Sequence, residues 1–190
     1  MGQNTRGFTI VELLIVIVVI AILAAISMVA YTNIQNRAYD TRTKDAAAKF
    51  ERALRLWSVD TSERTLKGNF GSTAAISNGN CVDGGGSGFV GSGNYLCTTE
   101  NILRSAGYLP TDFVKNLPAN IYFGGSSNGA RAMMIYPCGG DGKYILYWTL
   151  REPTAEDTSN LSNLMTSCGM STSSNIVTVW GMRAAKIVQL

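Results

Sequence analysis

The stretch that decides the fold is residues 6–31, which read RGFTIVELLIVIVVIAILAAISMVAY. Between residues 13 and 30 there is no charged side chain, and Ser27 is the single polar one. As a helix, these 18 residues rise about 27 Å, close to the thickness of the hydrocarbon core of a bilayer. The sequence therefore predicts a membrane-spanning helix near the N-terminus.

The segment before this run is a short polar leader. Arg6 is its one basic residue, and the next basic residue after the apolar run is Arg37. The positive-inside rule therefore predicts a cytoplasmic N-terminus and a C-terminal part outside the membrane. An ordinary secretory signal peptide is the alternative interpretation, since Ala25-Ile26-Ser27 offers a small-x-small cleavage site. Against it, the helical pattern runs straight through that site.

A carboxylate lies at the entry of the apolar run. Glu12 is flanked by Val11 and Leu13, and a charged side chain at membrane depth costs roughly 2.5 to 3.5 kcal/mol. Such a residue suggests a function by default, and it needs a partner of opposite charge. A helix that only anchors a protein in the membrane gains nothing from a carboxylate at this position.

Arg6-Gly7-Phe8-Thr9-Ile10-Val11-Glu12-Leu13-Leu14, followed by the apolar run, resembles the class III leader and N-terminal helix of type IV pilins and type II secretion pseudopilins. The resemblance implies cleavage after Gly7 by a prepilin peptidase, N-methylation of the new terminal Phe8, and an assembly role for the Glu12 carboxylate. It also implies other copies of the chain and minor pilins as partners, together with an assembly platform and its ATPase. Beyond the N-terminal helix the similarity is one of architecture alone.

A physical account of these residues stands beside the resemblance. Cleavage after Gly7 would create an α-amine on Phe8, with an ordinary pKa near 8, that is largely cationic at neutral pH. Within one helix Phe8 and Glu12 would be neighbours four residues apart, and in a bundle the amine of one subunit could neutralise the carboxylate of the next. In the uncut precursor the terminal amine would lie about 10 Å further along a helix. We therefore expect processing to permit assembly and this ion pair to set the register between subunits.

Helical periodicity continues past the apolar run. Apolar residues recur at three- and four-residue spacing as far as Trp57, while the opposite face carries charges of both signs. No proline occurs between Phe8 and Trp57, so the sequence predicts a single helix of about 50 residues. The expected divisions of the chain are a leader at 1–7, a transmembrane and assembly helix at 8–31, an amphipathic stem at 32–58 and a globular head at 59–190.

The head is expected to combine a glycine-rich loop with an antiparallel sheet. Residues 68–97 lack periodicity and are rich in glycine, which predicts a long irregular connection. A short helix capped by Thr98 or Thr99 and stopped by Gly107 should follow, and Gly139-Gly140-Asp141-Gly142 predicts a hairpin turn. The best strand candidates are 132–136, 144–150 and 175–180, with weaker ones at 121–123 and 186–190.

Four cysteines, all beyond the apolar run, are expected to form disulfides outside the cell. Three pairings are possible, and the shortest loops would join Cys81 to Cys97 and Cys138 to Cys168. A helix capped at Thr154 would let the second bridge clamp the last hairpin to the sheet. The predicted fold class is α+β and pilin-like: a long N-terminal helix, half in the membrane and half amphipathic, packed on an antiparallel sheet.

Composition argues against catalysis and against most ligand sites. The chain has no histidine, the commonest general base and metal ligand, and its formal net charge of +3 is scattered. The cysteine spacing suits no zinc site, and the acidic residues at Asp141 and between 152 and 157 fit no calcium-binding EF-hand loop. Residues 86–91 match a dinucleotide-binding fingerprint by chance, without the strand and helix that such a site needs. We expect no enzyme, no cofactor, no metal and no direct nucleic-acid site.

The sequence thus predicts a structural subunit of a type IV pilus or pilus-like filament. Before assembly it would be a single-pass protein of the cytoplasmic membrane, and afterwards part of an extracellular filament. A pseudopilin of a type II secretion system, or of a competence filament that takes up DNA, is the alternative in the same class. A monomeric membrane-anchored surface domain that binds a ligand or acts as an enzyme is the alternative from another class, and Glu12 argues against it.

Overall fold

The computed structural model describes residues 7–64, 76–77, 80–81, 88–89, 103–118, 132–140 and 142–190. Its first element is α1 (Ile10–Thr61), a helix of 52 residues, which confirms the prediction of one long N-terminal helix. The chain divides into two compact units, Met1–Ala38 and Tyr39–Leu190. The other elements are β1 (Ile76–Ser77), β2 (Asn80–Cys81), β3 (Gly88–Phe89), α2 (Phe113–Asn116), β4 (Met133–Pro137), β5 (Lys143–Trp148), α3 (Ala155–Ser167), α4 (Asn175–Thr178) and β6 (Ala184–Gln189).

The first unit contains the apolar part of α1. Its large apolar side chains, from Phe8 to Ile34, are all exposed. In the described part of the chain, α1 is the one helix that is long and apolar enough to cross a membrane, with a mean hydropathy of 3.3 over its best window and none of that window buried. The Ser27 hydroxyl donates a hydrogen bond to the carbonyl of Leu23 at 2.8 Å, so the polar group of this stretch is satisfied inside the helix.

The second unit is built on an antiparallel sheet with strand order β3-β4-β5-β6. β4 and β5 form a hairpin in which Met133 pairs with Trp148 and Pro137 with Tyr144, close to the two strands predicted there. Gly139 and Gly142 have φ values of +61° and +67° in the connection. Side chains other than glycine are strained in this region, which explains the glycines of the predicted turn. Asp141 lies outside the described residues.

Both faces of the sheet are buried, which explains why β4 and β5 are almost continuously apolar. On one face, Met133 and Leu146 pack with Phe50 of α1 in one core cluster. On the other face, Met134 packs with Met165 of α3 in a second cluster. The expected packing of the sheet on the long helix is therefore confirmed, and α3 forms a further layer that buries the opposite face.

α3 is held at both ends by local contacts. The Thr154 hydroxyl accepts a hydrogen bond from the Asp157 N–H, and the Asp157 carboxylate accepts one from the Thr154 N–H, each at 3.0 Å, which confirms the expected cap. At the other end Cys168 forms a disulfide with Cys138, directly after β4, which confirms that pairing. The bridge ties α3 to the hairpin. Cys97 lies outside the described residues, so its pairing with Cys81 stays a prediction.

The predicted strand at 175–180 is wrong. Residues Asn175–Thr178 form the short helix α4, and the Trp180 N–H bonds back to the Asn175 carbonyl at 2.8 Å. A short β-branched run does not distinguish a strand from a helical turn, and here burying Ile176 against the sheet decides the outcome. The edge strand is instead β6, which pairs with β5 and confirms the weaker candidate at 186–190.

The expectation of an irregular connection over 68–97 also needs correction. Three two-residue strands, β1, β2 and β3, lie inside it, and β3 pairs with β4 at the edge of the main sheet. The middle of the chance dinucleotide fingerprint is thus a strand. A helical turn at 103–105 ends before Gly107, whose φ is +84°, as expected for a glycine stop. The caps at Thr98 or Thr99 and the strand at 121–123 lie outside the described residues.

Candidate assembly site at the start of the helix

Gly7 and Phe8 precede the first turn of α1. The Phe8 side chain is 85% exposed. A Cβ added at Gly7 would meet no atom within 4 Å, and the φ of Gly7 is not in the left-handed region. Neither packing nor backbone strain therefore explains why glycine stands at this position.

Thr9 and Glu12 form a capping box at the start of α1. The Glu12 carboxylate oxygen Oε2 accepts the Thr9 N–H at 2.8 Å and the Thr9 hydroxyl at 2.7 Å. In return, the Glu12 N–H donates to the Thr9 hydroxyl oxygen at 3.2 Å. These bonds satisfy amide groups that have no partner inside the helix. The T-x-x-E spacing is the sequence signal for this role of Thr9, which was not among the predictions.

The capping box changes the expected relation between Phe8 and Glu12. Because α1 begins at Ile10, Phe8 lies outside the helix, and the two residues are not helical neighbours four apart. Both Thr9 donors bind Oε2, and in the described part of the chain the other carboxylate oxygen, Oε1, receives no hydrogen bond. The carboxylate therefore keeps the capacity to accept a further donor.

A second set of polar contacts joins α1 to the sheet in the second unit. The Tyr39 hydroxyl and the Thr149 hydroxyl oxygen lie 2.6 Å apart, and the Asp40 carboxylate accepts the N–H groups of Arg151 at 2.7 Å and Glu152 at 3.1 Å. The Arg151 guanidinium lies 5.0 Å from the centre of the Tyr39 ring. The charges of this part of the helix are evident in the sequence, but their partners were not predicted, because these lie about 110 residues away along the chain.

Two further carboxylates on or beside α1 are engaged in ion pairs. Glu51 lies 2.8 Å from Lys186 of β6 and 3.0 Å from Arg55. Burial acts to raise the pKa of the Glu51 carboxyl, but hydrogen bonds and charge from Lys186 and Arg55 outweigh it and hold the pKa below its ordinary value. Burial likewise acts to raise the pKa of Asp157, and hydrogen bonds from Thr154 with the charge of Lys44 hold it low.

Of the acidic residues considered as calcium ligands, Asp157 has a structural role. Asp157 caps α3 and lies 3.5 Å from Lys44. Among the residues that the structure describes, no group of three or more acidic or cysteine side chains is arranged to hold a metal ion. Of the strand aromatics, Tyr144 and Tyr147 are buried on opposite faces of the sheet.

Comparison with protein families matches residues 2–28 to the prokaryotic N-terminal methylation motif. No curated protein and no solved structure matches the chain. The matched segment contains Gly7, Phe8, the Thr9–Glu12 capping box and most of the apolar helix. The N-terminal segment thus carries the methylation motif, which supports the resemblance to type IV pilins and pseudopilins, and the antiparallel sheet that packs on the second part of α1 is consistent with the fold expected from it.

Proposed function

We propose that this protein is a structural subunit of a type IV pilus or pilus-like filament that polymerises through residues 8–31. The observation that carries the proposal is the apolar part of α1, which follows a methylation motif and has none of its best 18-residue window buried. Such a surface is not stable in water and needs lipid or protein to cover it. Lipid covers it before assembly, and the same helix of neighbouring copies covers it in the filament.

Processing supplies a positive charge that can pair with the Glu12 carboxylate. A prepilin peptidase cuts after Gly7, and its methyltransferase activity modifies the amine of Phe8, which remains cationic. The open oxygen Oε1 of Glu12 then accepts this amine from a neighbouring copy, and the pair sets the axial register of the bundle. Before cleavage the cationic terminus is at Met1, too far along the chain to take this place.

The proposed location follows from the same residues. Arg6 before the helix favours a cytoplasmic N-terminus, with the disulfide-bonded second unit outside. The Cys138–Cys168 bridge supports an extracytoplasmic second unit, because disulfides persist in oxidising compartments. Minor pilins, an assembly platform and its ATPase are the further partners of such a subunit.

Two other functions predict different experimental outcomes. A pseudopilin of a secretion or competence system would undergo the same processing but form a short filament. A monomeric surface domain would keep the apolar helix in lipid and would not polymerise. The exposed Phe8 and the unexplained glycine at position 7 favour processing, since neither residue serves the packing of the chain.

The test is the intact mass and the N-terminal sequence of the protein from sheared surface filaments and from membranes. We expect a chain that begins at N-methylated Phe8 in both fractions. A chain that begins at Met28 would mean an ordinary secreted protein. An uncut chain that begins at Met1 would leave a simple membrane anchor, and either result would overturn the proposal.

A further inference from the structure

We propose that opposite flanks of α1 in the second unit carry the two halves of one contact between copies. A groove beside Arg42 on one copy binds the acidic turn that carries Glu156 on the next copy. The inference rests on the proposed function, because it presumes that copies of the chain assemble side by side.

The first half is a groove between α1 and α2, here named the basic groove. It has a volume of about 420 Å³. Its floor is apolar, because Ala46, Phe113 and Leu117 are each less than a tenth exposed. The Phe113 ring stacks on Phe50 with 6.0 Å between ring centres, so the core holds the floor in place. Arg42, Asp45, Lys49 and Asn116 supply the polar rim.

The charged side chains of the basic groove leave one positive charge, that of Arg42, without a counter-charge. Lys49 is paired with Asp45 at 2.8 Å. Arg42 is exposed, and none of the ion pairs among the described residues involves it. A guanidinium at the edge of an apolar floor suits a carboxylate, which it can bind through two parallel hydrogen bonds. The groove therefore fits an acidic side chain presented on a rigid turn.

The second half is residues 151–157, here named the acidic turn. It is fixed to α1 from the other side, since Asp40 accepts two of its N–H groups and Lys44 pairs with Asp157. Asp157 is used by the capping box of α3, whereas the neighbouring Glu156 is exposed. Glu152 in the same turn is exposed as well. The acidic turn thus presents the Glu156 carboxylate on a backbone that is already ordered, which lowers the entropy cost of docking.

The geometry of α1 makes these halves complementary in position as well as in charge. At 3.6 residues per turn, Asp40 and Lys44 lie roughly 150° around the helix from Arg42 and Lys49. The acidic turn and the basic groove are therefore on opposite flanks of the same helix. Because the two patches face away from each other, a closed two-fold dimer cannot bring both pairs together at one interface, whereas a head-to-tail contact can repeat from copy to copy. This is the type of contact that a filament needs.

The test is chemical crosslinking of the full-length protein in cells. The double variant Arg42→Cys with Glu156→Cys is treated with a short bismaleimide, because an Arg–Glu pair holds its Cα atoms further apart than a disulfide spans. With one new thiol per copy, the crosslinker can join no more than two copies. With two thiols in different patches, each copy can be linked to two neighbours, so that longer chains form. We expect a ladder of dimers, trimers and larger species from the double variant, and nothing beyond dimers from either single variant.

Arg52→Cys with Glu156→Cys is the matched control, since Arg52 is exposed on α1 but does not line the basic groove. Two results would overturn the contact if the filaments still carry N-methylated Phe8: no ladder from the Arg42→Cys, Glu156→Cys variant, or an equal ladder from the control variant. Either result would leave the proposed function standing. If the unmodified protein gave neither a Phe8 terminus nor filaments, the proposed function would fail, and this contact would fail with it.

Charge exchange gives an independent readout. Arg42→Glu and Glu156→Arg should each lower the yield of sheared filaments about fivefold, the effect of losing an accessible ion pair. The combined exchange should restore the yield, while Arg52→Glu should leave it unchanged. Equal yields from all four variants would contradict the contact. Because both exchanged side chains are exposed, a change of yield with unchanged protein level does not reflect misfolding.

Discussion

The carboxylate of Asp40 accepts the backbone N–H of Arg151 at 2.7 Å, across 111 residues of sequence. The same carboxylate also accepts the N–H of Glu152. Asp40→Ala should lower the unfolding free energy of the second unit by about 1–3 kcal/mol, because the charged acceptor is lost and two amides lose their partner. The unfolding free energy of Asp40→Asn should lie between those of the unmodified protein and Asp40→Ala, since an amide keeps one acceptor oxygen.

Urea unfolding of the detergent-solubilised protein, followed by tryptophan fluorescence, measures this change. All three tryptophans lie beyond residue 38, so the signal reports the second unit alone. Arg52→Ala, at an exposed position further along the same helix, is a suitable control. An Asp40→Ala variant as stable as the unmodified protein would show that water replaces the carboxylate without cost.

The Cys138–Cys168 bridge should contribute strongly to stability. It joins residues 30 apart, and closing a loop of this length is worth about 3–4 kcal/mol through the entropy of the unfolded chain. Replacing both cysteines by alanine should shift the urea midpoint accordingly. Filament subunits carrying this change should also be cut faster by protease near α3. A shift equivalent to less than about 1 kcal/mol would contradict the entropic estimate.

The stability of the second unit should depend on the charge of Glu51. Its pKa is held below the ordinary value of 4.5, so its ion pairs contribute fully above that pH and are lost as the pH falls through the lowered folded-state pKa. Glu51→Gln should therefore cost up to about 1 kcal/mol at neutral pH, and the difference should disappear in acid. Lys186→Met should cost a similar amount at neutral pH. If Glu51→Gln lowered the unfolding free energy by the same amount at every pH, this charge effect would be excluded.

α1 ends at Thr61, and the next residue, Ser62, has a φ of +58°. Serine is strained in the left-handed region, where glycine is the favoured residue after a helix. Ser62→Gly should raise the unfolding free energy by about 0.5–1 kcal/mol. Ser62→Ala removes the same hydroxyl but keeps the strain, so it should bring no gain. Equal stability of the glycine and alanine variants would mean that the strain is released elsewhere.

The Glu12 carboxylate should be needed for assembly but not for processing. Glu12→Ala should still yield N-methylated Phe8 in the membrane, while sheared filaments fall below detection, because the cationic terminus has no partner in the bundle. Thr9→Ala separates helix capping from charge, since it removes the capping hydroxyl and keeps the carboxylate. Filaments of normal yield from Glu12→Ala would refute the register role, although not the family assignment.

The long helix and the β4–β5 hairpin were predictable because local rules decide them. Apolar spacing without proline specifies α1, and left-handed glycines between two apolar runs specify the hairpin. At the helix start, the sequence predicts Gly7, Phe8 and Glu12 as the candidate residues, and it does not predict their geometry. In the uncut chain the Thr9 cap starts the helix after Phe8, so Phe8 and Glu12 are not helical neighbours there.

The sequence by itself determined that this protein has an apolar helix with a carboxylate at its entry, because membrane length, charge cost and the leader motif are all local properties of one segment. Only the tertiary structure decided that residues 175–178 turn into a helix while residues 184–189 take the sheet edge. It also decided that Asp40, Glu51 and Lys44 of α1 contact the sheet and its connections. These outcomes depend on which surfaces meet after folding, and the partners lie more than 100 residues apart, beyond the reach of any sequence period.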